Sequence, residues 1–176
     1  MKTDPHEVAT PSAWVVRWAG AIPEGGRVLD LAAGNGRHAR YLAAQGYRVE
    51  AVDRDPELAS RLAGIAGIDV RAADLEAGPW PYAGERFAGI VVTHYLHRPL
   101  FPAIADALDF GGVLIYETFA MGNERYGRPS NPAYLLQPGE LLELARHQLR
   151  VIAYEDVIVT DPKPAAVQRI CAVRFL

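Results

Sequence analysis

Three short stretches in the first half of the chain combine residue types that can hold a ligand. Asp30-Leu31-Ala32-Ala33-Gly34-Asn35-Gly36 follows an apolar run, and its small residues let the backbone come close to a ligand, with Gly34 and Gly36 able to take positive φ. A nucleotide-like ligand fits such a turn. Asp53 ends the next apolar run, where its carboxylate can accept two hydrogen bonds from a ribose diol. Asp74-Leu75 follows the third, an acceptor beside an apolar residue, which suits an adenine amino group over a hydrophobic floor. Each stretch alone has an ordinary reading as a tight connection, a turn residue or a helix cap. Their order within one small chain outlines an adenosine site.

Two chemistries share that outline. Gly34-Asn35-Gly36-Arg37-His38-Ala39 also satisfies the G-x-G-x-x-G/A fingerprint of dinucleotide enzymes such as NAD-dependent oxidoreductases. Asp30 separates the two, because a pyrophosphate at this turn would face its negative charge, whereas a ligand ammonium group would be attracted.

The elements that must position these residues alternate. Expected strands at 27–31, 47–53, 69–72, 88–93 and 113–119 are separated by expected helices at 37–45, 56–63 and 100–108, with Gly46 as a stop and Asp55-Pro56 as a start signal. Such alternation predicts a Rossmann-like, doubly wound α/β sheet with right-handed crossovers. Ser12 caps an expected helix in which Trp14 and Trp18 share a face, within an N-terminal helical segment 1–24. A helix at 139–147 precedes two β-rich runs, 151–160 and 167–175, whose short Asp161-Pro162-Lys163-Pro164 link suits an antiparallel hairpin. The stretch 122–138 is too long for a simple connection and is expected to be a mobile functional loop.

Composition narrows the function classes. A chain of 176 residues, half of them hydrophobic, is read as one domain, 1–176, with a full core. Its single cysteine, Cys171, leaves no disulfide, CxxC pair or cysteine-based zinc site, and no metal is expected. No signal-peptide-like or membrane-spanning run is seen, so a cytoplasmic location is expected. A net charge of -3 disfavours nucleic acid as a partner, and the sequence leaves the oligomeric state open.

Val28-Leu29-Asp30-Leu31-Ala32-Ala33-Gly34-Asn35-Gly36-Arg37 resembles motif I of the class I S-adenosylmethionine-dependent methyltransferases. Asp53 and Asp74 fall where that family places its ribose and adenine contacts, and Phe110-Gly111-Gly112-Val113-Leu114 is similar to the turn opening its fifth strand. The closing hairpin resembles the reversed seventh strand of the family, so the likeness runs from about Arg27 to Leu176. Tyr116-Glu117-Thr118-Phe119 looks most like small bacterial members of the tellurite-resistance type. Ala32 stands where the motif usually has glycine, and alanine keeps close approach at negative φ.

The resemblance implies a seven-stranded methyltransferase fold with S-adenosylmethionine as cofactor. Asp30, Ala32, Gly34, Asn35, Gly36, Asp53, Arg54, Asp74, Leu75 and Thr93 are the expected cofactor contacts. Methyl transfer from a sulfonium needs alignment and exclusion of water more than a base. Candidates around the acceptor are His94, Tyr95, His97 and Glu117 at the ends of the fourth and fifth strands, with Arg125, Tyr126 and Arg128 as substrate contacts on a closing lid. The fourth strand lacks the Asn/Asp-Pro-Pro-aromatic pattern of enzymes that methylate base amines, and Cys171 is misplaced for attack on cytosine. A small molecule or oxyanion is therefore the expected acceptor. A non-catalytic S-adenosylmethionine-binding module is the alternative from another class.

Overall fold

The computed structural model describes residues 10–175. The part of the expected N-terminal segment at 1–9 lies outside the described residues.

Seven strands form one sheet in the order β3-β2-β1-β4-β5-β7-β6. They are β1 (Arg27–Leu31), β2 (Arg48–Asp53), β3 (Ile68–Ala72), β4 (Phe87–Thr93), β5 (Leu108–Phe119), β6 (Leu149–Val159) and β7 (Ala165–Arg174). The first five are parallel, and β7 runs antiparallel between β5 and β6. The expected α/β architecture with its closing hairpin is the one observed. Chain order reverses direction between β1 and β4, which makes the carboxyl ends of these two strands the switch point where an open α/β sheet holds a ligand.

Helices α1 (Ala13–Trp18), α2 (Arg37–Ala44) and α3 (Leu58–Leu62) cover one face, and α4 (Phe101–Asp106) and α5 (Glu140–Ala145) the other. The period-two alternation of a strand assigns each residue to a face. Val28, Val91, Val113 and Ile115 pack with α1 to α3, whereas Leu29, Leu31, Ile90, Val92 and Leu114 pack with α4 and α5. By the same parity Asp30, Thr93 and Glu117 fall on the α1–α3 face, all toward the carboxyl ends of their strands. Three polar residues on neighbouring strands are thus brought to one place.

Ser12 caps α1 as expected, accepting from the Trp14 amide at 3.1 Å. The Trp14 ring is buried, and its indole N–H donates to the Ile170 carbonyl of β7, so α1 is fixed to the far half of the sheet. Several boundaries differ from expectation. β5 begins at Leu108, inside the expected helix, because Leu108 pairs with Phe87 before the register shifts across Gly111-Gly112. α3 starts two residues after Pro56, because Asp55 turns the chain through a hydrogen bond from the Glu57 amide to its own carboxylate.

The stretch 122–138 departs most from expectation. Rather than an open loop, it contains two 3-10 turns, Asn123–Arg125 and Pro132–Tyr134, and is anchored at both ends. Leu135 and Leu136 are fully buried, the Met121 amide donates to the Leu136 carbonyl, and Arg98 donates to the carbonyls of Ala133 and Leu135. Asn123 is buried as well, accepting from the Ala166 amide and donating to the Pro129 carbonyl. The expected mobile lid is corrected to a pinned segment whose exposed tip carries Arg125, Tyr126 and Arg128.

Among the described residues two that are not glycine adopt positive φ, Ala32 at 56° and His94 at 52°, and they directly follow the adjacent strands β1 and β4. The negative φ at which alanine keeps close approach is not the one observed at Ala32. The turn after β1 forces it into the left-handed region, which disfavours an L-residue by roughly 1–2 kcal/mol. Gly36 is the contrasting case, since at φ 77° an added Cβ would sit 2.6 Å from the Leu62 side chain. Ala32→Gly should therefore raise stability by about 0.5–1 kcal/mol once the unfolded-state entropy of glycine is included, whereas Gly36→Ala should lower it by more than 1 kcal/mol. Thermal unfolding of the two variants checks both signs.

Candidate functional site

A half-open cleft of about 170 Å³ lies at the carboxyl ends of β1, β2 and β3. Ala32, Asp53, Arg54, Asp74 and Leu75, all singled out in the sequence, line it together with Ala73, Glu76 and Tyr95. Asp53 joins two turns, since its carboxylate accepts from the Gly34 amide at 2.8 Å and from the Asp55 amide at 2.9 Å. An added Cβ on Gly34 would meet nothing within 4 Å, so the backbone there borders open space. The Asp74 carboxylate caps its own turn by accepting from the Glu76 and Ala77 amides, and these bonds hold it below its ordinary pKa. Leu75 supplies the buried apolar floor. Asn35 is exposed, and its side chain accepts from the Arg37 amide. Gly36 is buried at the start of α2.

Asp30 lies beneath the same turn, 1% exposed on the α2 side of the sheet. One side of its carboxyl takes the Ala39 amide, while Oδ2 is buried with no hydrogen-bond partner. Burial pushes its pKa up to about 7, against the lowering effect of the Ala39 amide and Arg37. A buried acceptor oxygen without a donor is a strong demand for one. A ligand cation arriving at the turn would meet it.

Next to Asp30 on the same face, a polar chain runs across the ends of β4 and β5. The Ser12 amide donates to His38 Nε2 at 3.1 Å, and His38 Nδ1 lies 3.3 Å from Thr93 Oγ1. The Ser12 hydroxyl donates to Glu117 Oε1 at 2.7 Å, and Arg169 donates to Glu117 Oε2 and on to Glu155. Arg37 also reaches back to the Thr10 carbonyl. Both oxygens of Glu117 are engaged and the residue is buried, so it acts as an anchor in this arrangement. Burial, with Arg37 nearby, pushes the His38 pKa down to about 3.

His94 stacks on Phe119, ring centroids 4.7 Å apart, and its amide donates to the Glu117 carbonyl. Partial burial against this ring, then the charges of Arg37 and Lys163, lower its pKa despite Glu117, which favours the imidazole without its second proton near neutral pH. Tyr95 Oη is buried without a partner, and burial beside Glu76 raises its pKa. His97 is half-buried ahead of a 3-10 turn whose first amides its side chain does not cap. Arg125, Tyr126 and Arg128 are exposed and do not line the cleft. The sequence reading missed His38, Ser12 and Arg169 as one connected group. The available signal was a histidine on the core face of α2 beside Ala39 and Leu42, where a polar side chain demands partners. Among the described residues no group of three or more His, Cys, Asp or Glu is placed to hold a metal ion.

A family profile described as a methyltransferase domain matches residues 6–150, and the chain belongs to that family. No curated protein matches the sequence. Among solved structures, TehB from Haemophilus influenzae superposes with a TM-score of 0.74 at 20% identity, covering 93% of this chain and 62% of TehB. The chain thus spans under two thirds of that protein's length. A TehB-like S-adenosylmethionine-dependent methyltransferase from Corynebacterium glutamicum gives 0.66 at 21% identity, covering 92% and 87% of the two chains. The glycopeptide N-methyltransferase MtfA, solved with S-adenosylmethionine, gives 0.68 at 19% identity, covering 99% and 100%. At these identities the likeness concerns the fold.

The two shifted groups have opposite linkage. Asp30, raised from 3.8 to about 7, stabilises the fold fully below pH 3.8 and loses that contribution as pH rises through 7. His38, lowered from 6.5 to about 3, is destabilising as pH falls from 6.5 toward 3, because only the unfolded chain takes the proton there. Asp30→Asn removes the first dependence alone. Relative to the wild type, the variant should gain stability between pH 4 and pH 8, by an amount of order 4 kcal/mol at 1.36 kcal/mol per pKa unit. Urea unfolding of both proteins at the two pH values measures it, and an unchanged difference between them would show that Asp30 ionises normally in the fold.

Proposed function

We propose that the chain is an S-adenosylmethionine-dependent methyltransferase that acts on a small-molecule or oxyanion acceptor, in the cytoplasm. The observation that carries the reading is the buried, unpartnered Asp30 Oδ2 at the switch point of a methyltransferase-family domain, beside a cleft whose rim carries Asp53. The residues present fit the cofactor. Asp30 supplies the missing partner for an ammonium group, the Asp53 carboxylate keeps lone pairs for ribose hydroxyls, and Leu75 with Tyr95 gives apolar surface for an adenine. Pyrophosphate fits poorly, because the Asp53 carboxylate already occupies the Gly34 amide of the glycine turn.

The bound cofactor supplies a methyl group already activated on sulfonium. The chain's own residues then hold, orient and keep water out. Tyr95 closes one side of the cleft, and His94, stacked on Phe119, lies next in the chain at the end of β4, outside the cleft lining. On this reading His94 can take a proton from an acceptor that must lose one, and His97 and Glu117 are left with structural parts. Arg125, Tyr126 and Arg128 at the tip of the pinned segment are proposed to meet an anionic acceptor by side-chain movement, without opening of the backbone. The net charge of -3 supports a small acceptor over a nucleic acid.

S-adenosylmethionine and S-adenosylhomocysteine should each raise thermal stability, by about 2.7 kcal/mol at one hundred times the dissociation constant, while NAD should have no effect. Asp53→Ala should weaken binding of both by roughly 1–3 kcal/mol. It should also lower the stability of the free protein by about 1 kcal/mol, since the Gly34 and Asp55 amides lose their acceptor. Calorimetry and thermal unfolding test these. Production of S-adenosylhomocysteine with an acceptor panel tests turnover, and tight binding without turnover on any acceptor would favour a binding module.

A further inference from the structure

His38 and Thr93 carry information about a hydrogen that the heavy atoms alone fix. A backbone amide can only donate, so the Ser12 N–H at 3.1 Å requires a bare lone pair on His38 Nε2. A neutral imidazole then has its one hydrogen on Nδ1. That nitrogen faces Thr93 Oγ1 at 3.3 Å, so the hydroxyl must accept there and its own hydrogen must turn elsewhere. The neighbouring Glu117 carboxylate, whose oxygens accept from Ser12 and Arg169, makes no hydrogen bond with Thr93 Oγ1. Among the described residues Thr93 Oγ1 has no protein acceptor. The deep burial of His38 keeps the imidazole from taking a second proton, which would break the contact to Ser12.

Asp30 is the complement on the next strand. It sits two residues earlier in register than Thr93, on the same face, as an acceptor with one oxygen unpartnered. An acceptor beside a donor whose hydrogen is directed by a third residue is the arrangement that reads a zwitterion: an ammonium on one, a carboxylate on the other.

We infer that His38 is a positioning residue that fixes the direction of the Thr93 hydroxyl, making Thr93 a committed donor to an anionic ligand group at the switch point. Resting on the cofactor reading above, that group is the carboxylate of the methionyl end. His38 acts only through Thr93 and touches no ligand.

The test compares S-adenosylhomocysteine with its decarboxylated analogue, 5′-deoxy-5′-(3-aminopropylthio)adenosine, by calorimetry at pH 7. Wild-type protein should prefer the carboxylate-bearing ligand by tenfold or more, and Thr93→Val should reduce the preference to within about threefold. His38→Asn, which keeps a donor near the Nδ1 position, should retain the preference. His38→Gln, which keeps an acceptor near the Nε2 position but loses that donor, should lose most of it. The double variant His38→Gln/Thr93→Val should be no worse than Thr93→Val alone, because the two residues act in series. Imidazole 15N spectra should show His38 as the neutral Nδ1–H form from pH 5 to pH 8. An Nε2–H form, equal losses on both ligands, or additive losses in the double variant would overturn the proposal. Binding of both ligands by the wild type without preference overturns the proposal alone, whereas binding of neither overturns the cofactor reading on which it rests.

Discussion

A carboxyl group placed at the end of a central strand, under the first glycine turn, governs how the rest of this molecule is arranged. Asp30 is buried as deeply as the leucines on either side of it, yet one of its oxygens finds no donor in the protein. Leaving a buried polar atom unpaired is destabilising by about 1–3 kcal/mol, and the group responds by holding its proton to a higher pH. Backbone strain collects at the same point, because Ala32 and His94, which directly follow β1 and β4, both take positive φ. Unpaired groups and strain in one crevice are stabilised elsewhere in the fold and mark a place built for a ligand.

Two halves of the sheet meet at that crevice with different tasks. The turns after β1, β2 and β3 form a cleft whose polar groups are backbone amides and carboxylates already tied to one another, as Asp53 ties Gly34 to Asp55. Such a rim is preorganised. The ends of β4 and β5 are instead bound to the start of α1, through Ser12 to His38 and Glu117 and through Arg37 to Thr10. Because Trp14 then anchors α1 to β7, the segment before the first helix is strapped across the switch point by contacts to three separate elements, α2, β5 and β7. Disturbing the strap should be felt at the ligand edge before it is felt in the core.

Much of this was legible in the residues, for stated reasons. Alternating apolar runs separated by glycine and proline stops gave the α/β order and the closing hairpin, since period and punctuation are local properties. The cleft residues Asp53, Asp74 and Leu75 were legible because Asp53 ends β2 and Asp74-Leu75 lies just beyond the end of β3. What escaped is non-local. No local rule reveals that His38 of α2 meets Ser12 and Thr93, residues far apart in the chain, or that Ala32 is held at positive φ by its turn. The stretch 122–138 was misjudged because its length suggested freedom, while its stability comes from Leu135, Leu136 and Asn123 finding buried partners on other elements.

The central claim is that Asp30 waits, protonated, for a ligand cation. At pH 6 a carboxyl with a pKa of about 7 is mostly protonated in the free protein, while the α-ammonium of S-adenosylmethionine is already charged. Calorimetry of cofactor binding at pH 6, in buffers of different ionisation enthalpy, counts the protons exchanged. Release of close to one proton per cofactor bound, absent in Asp30→Asn, is the result predicted. Binding with no proton released, in the wild type as in the variant, would contradict it.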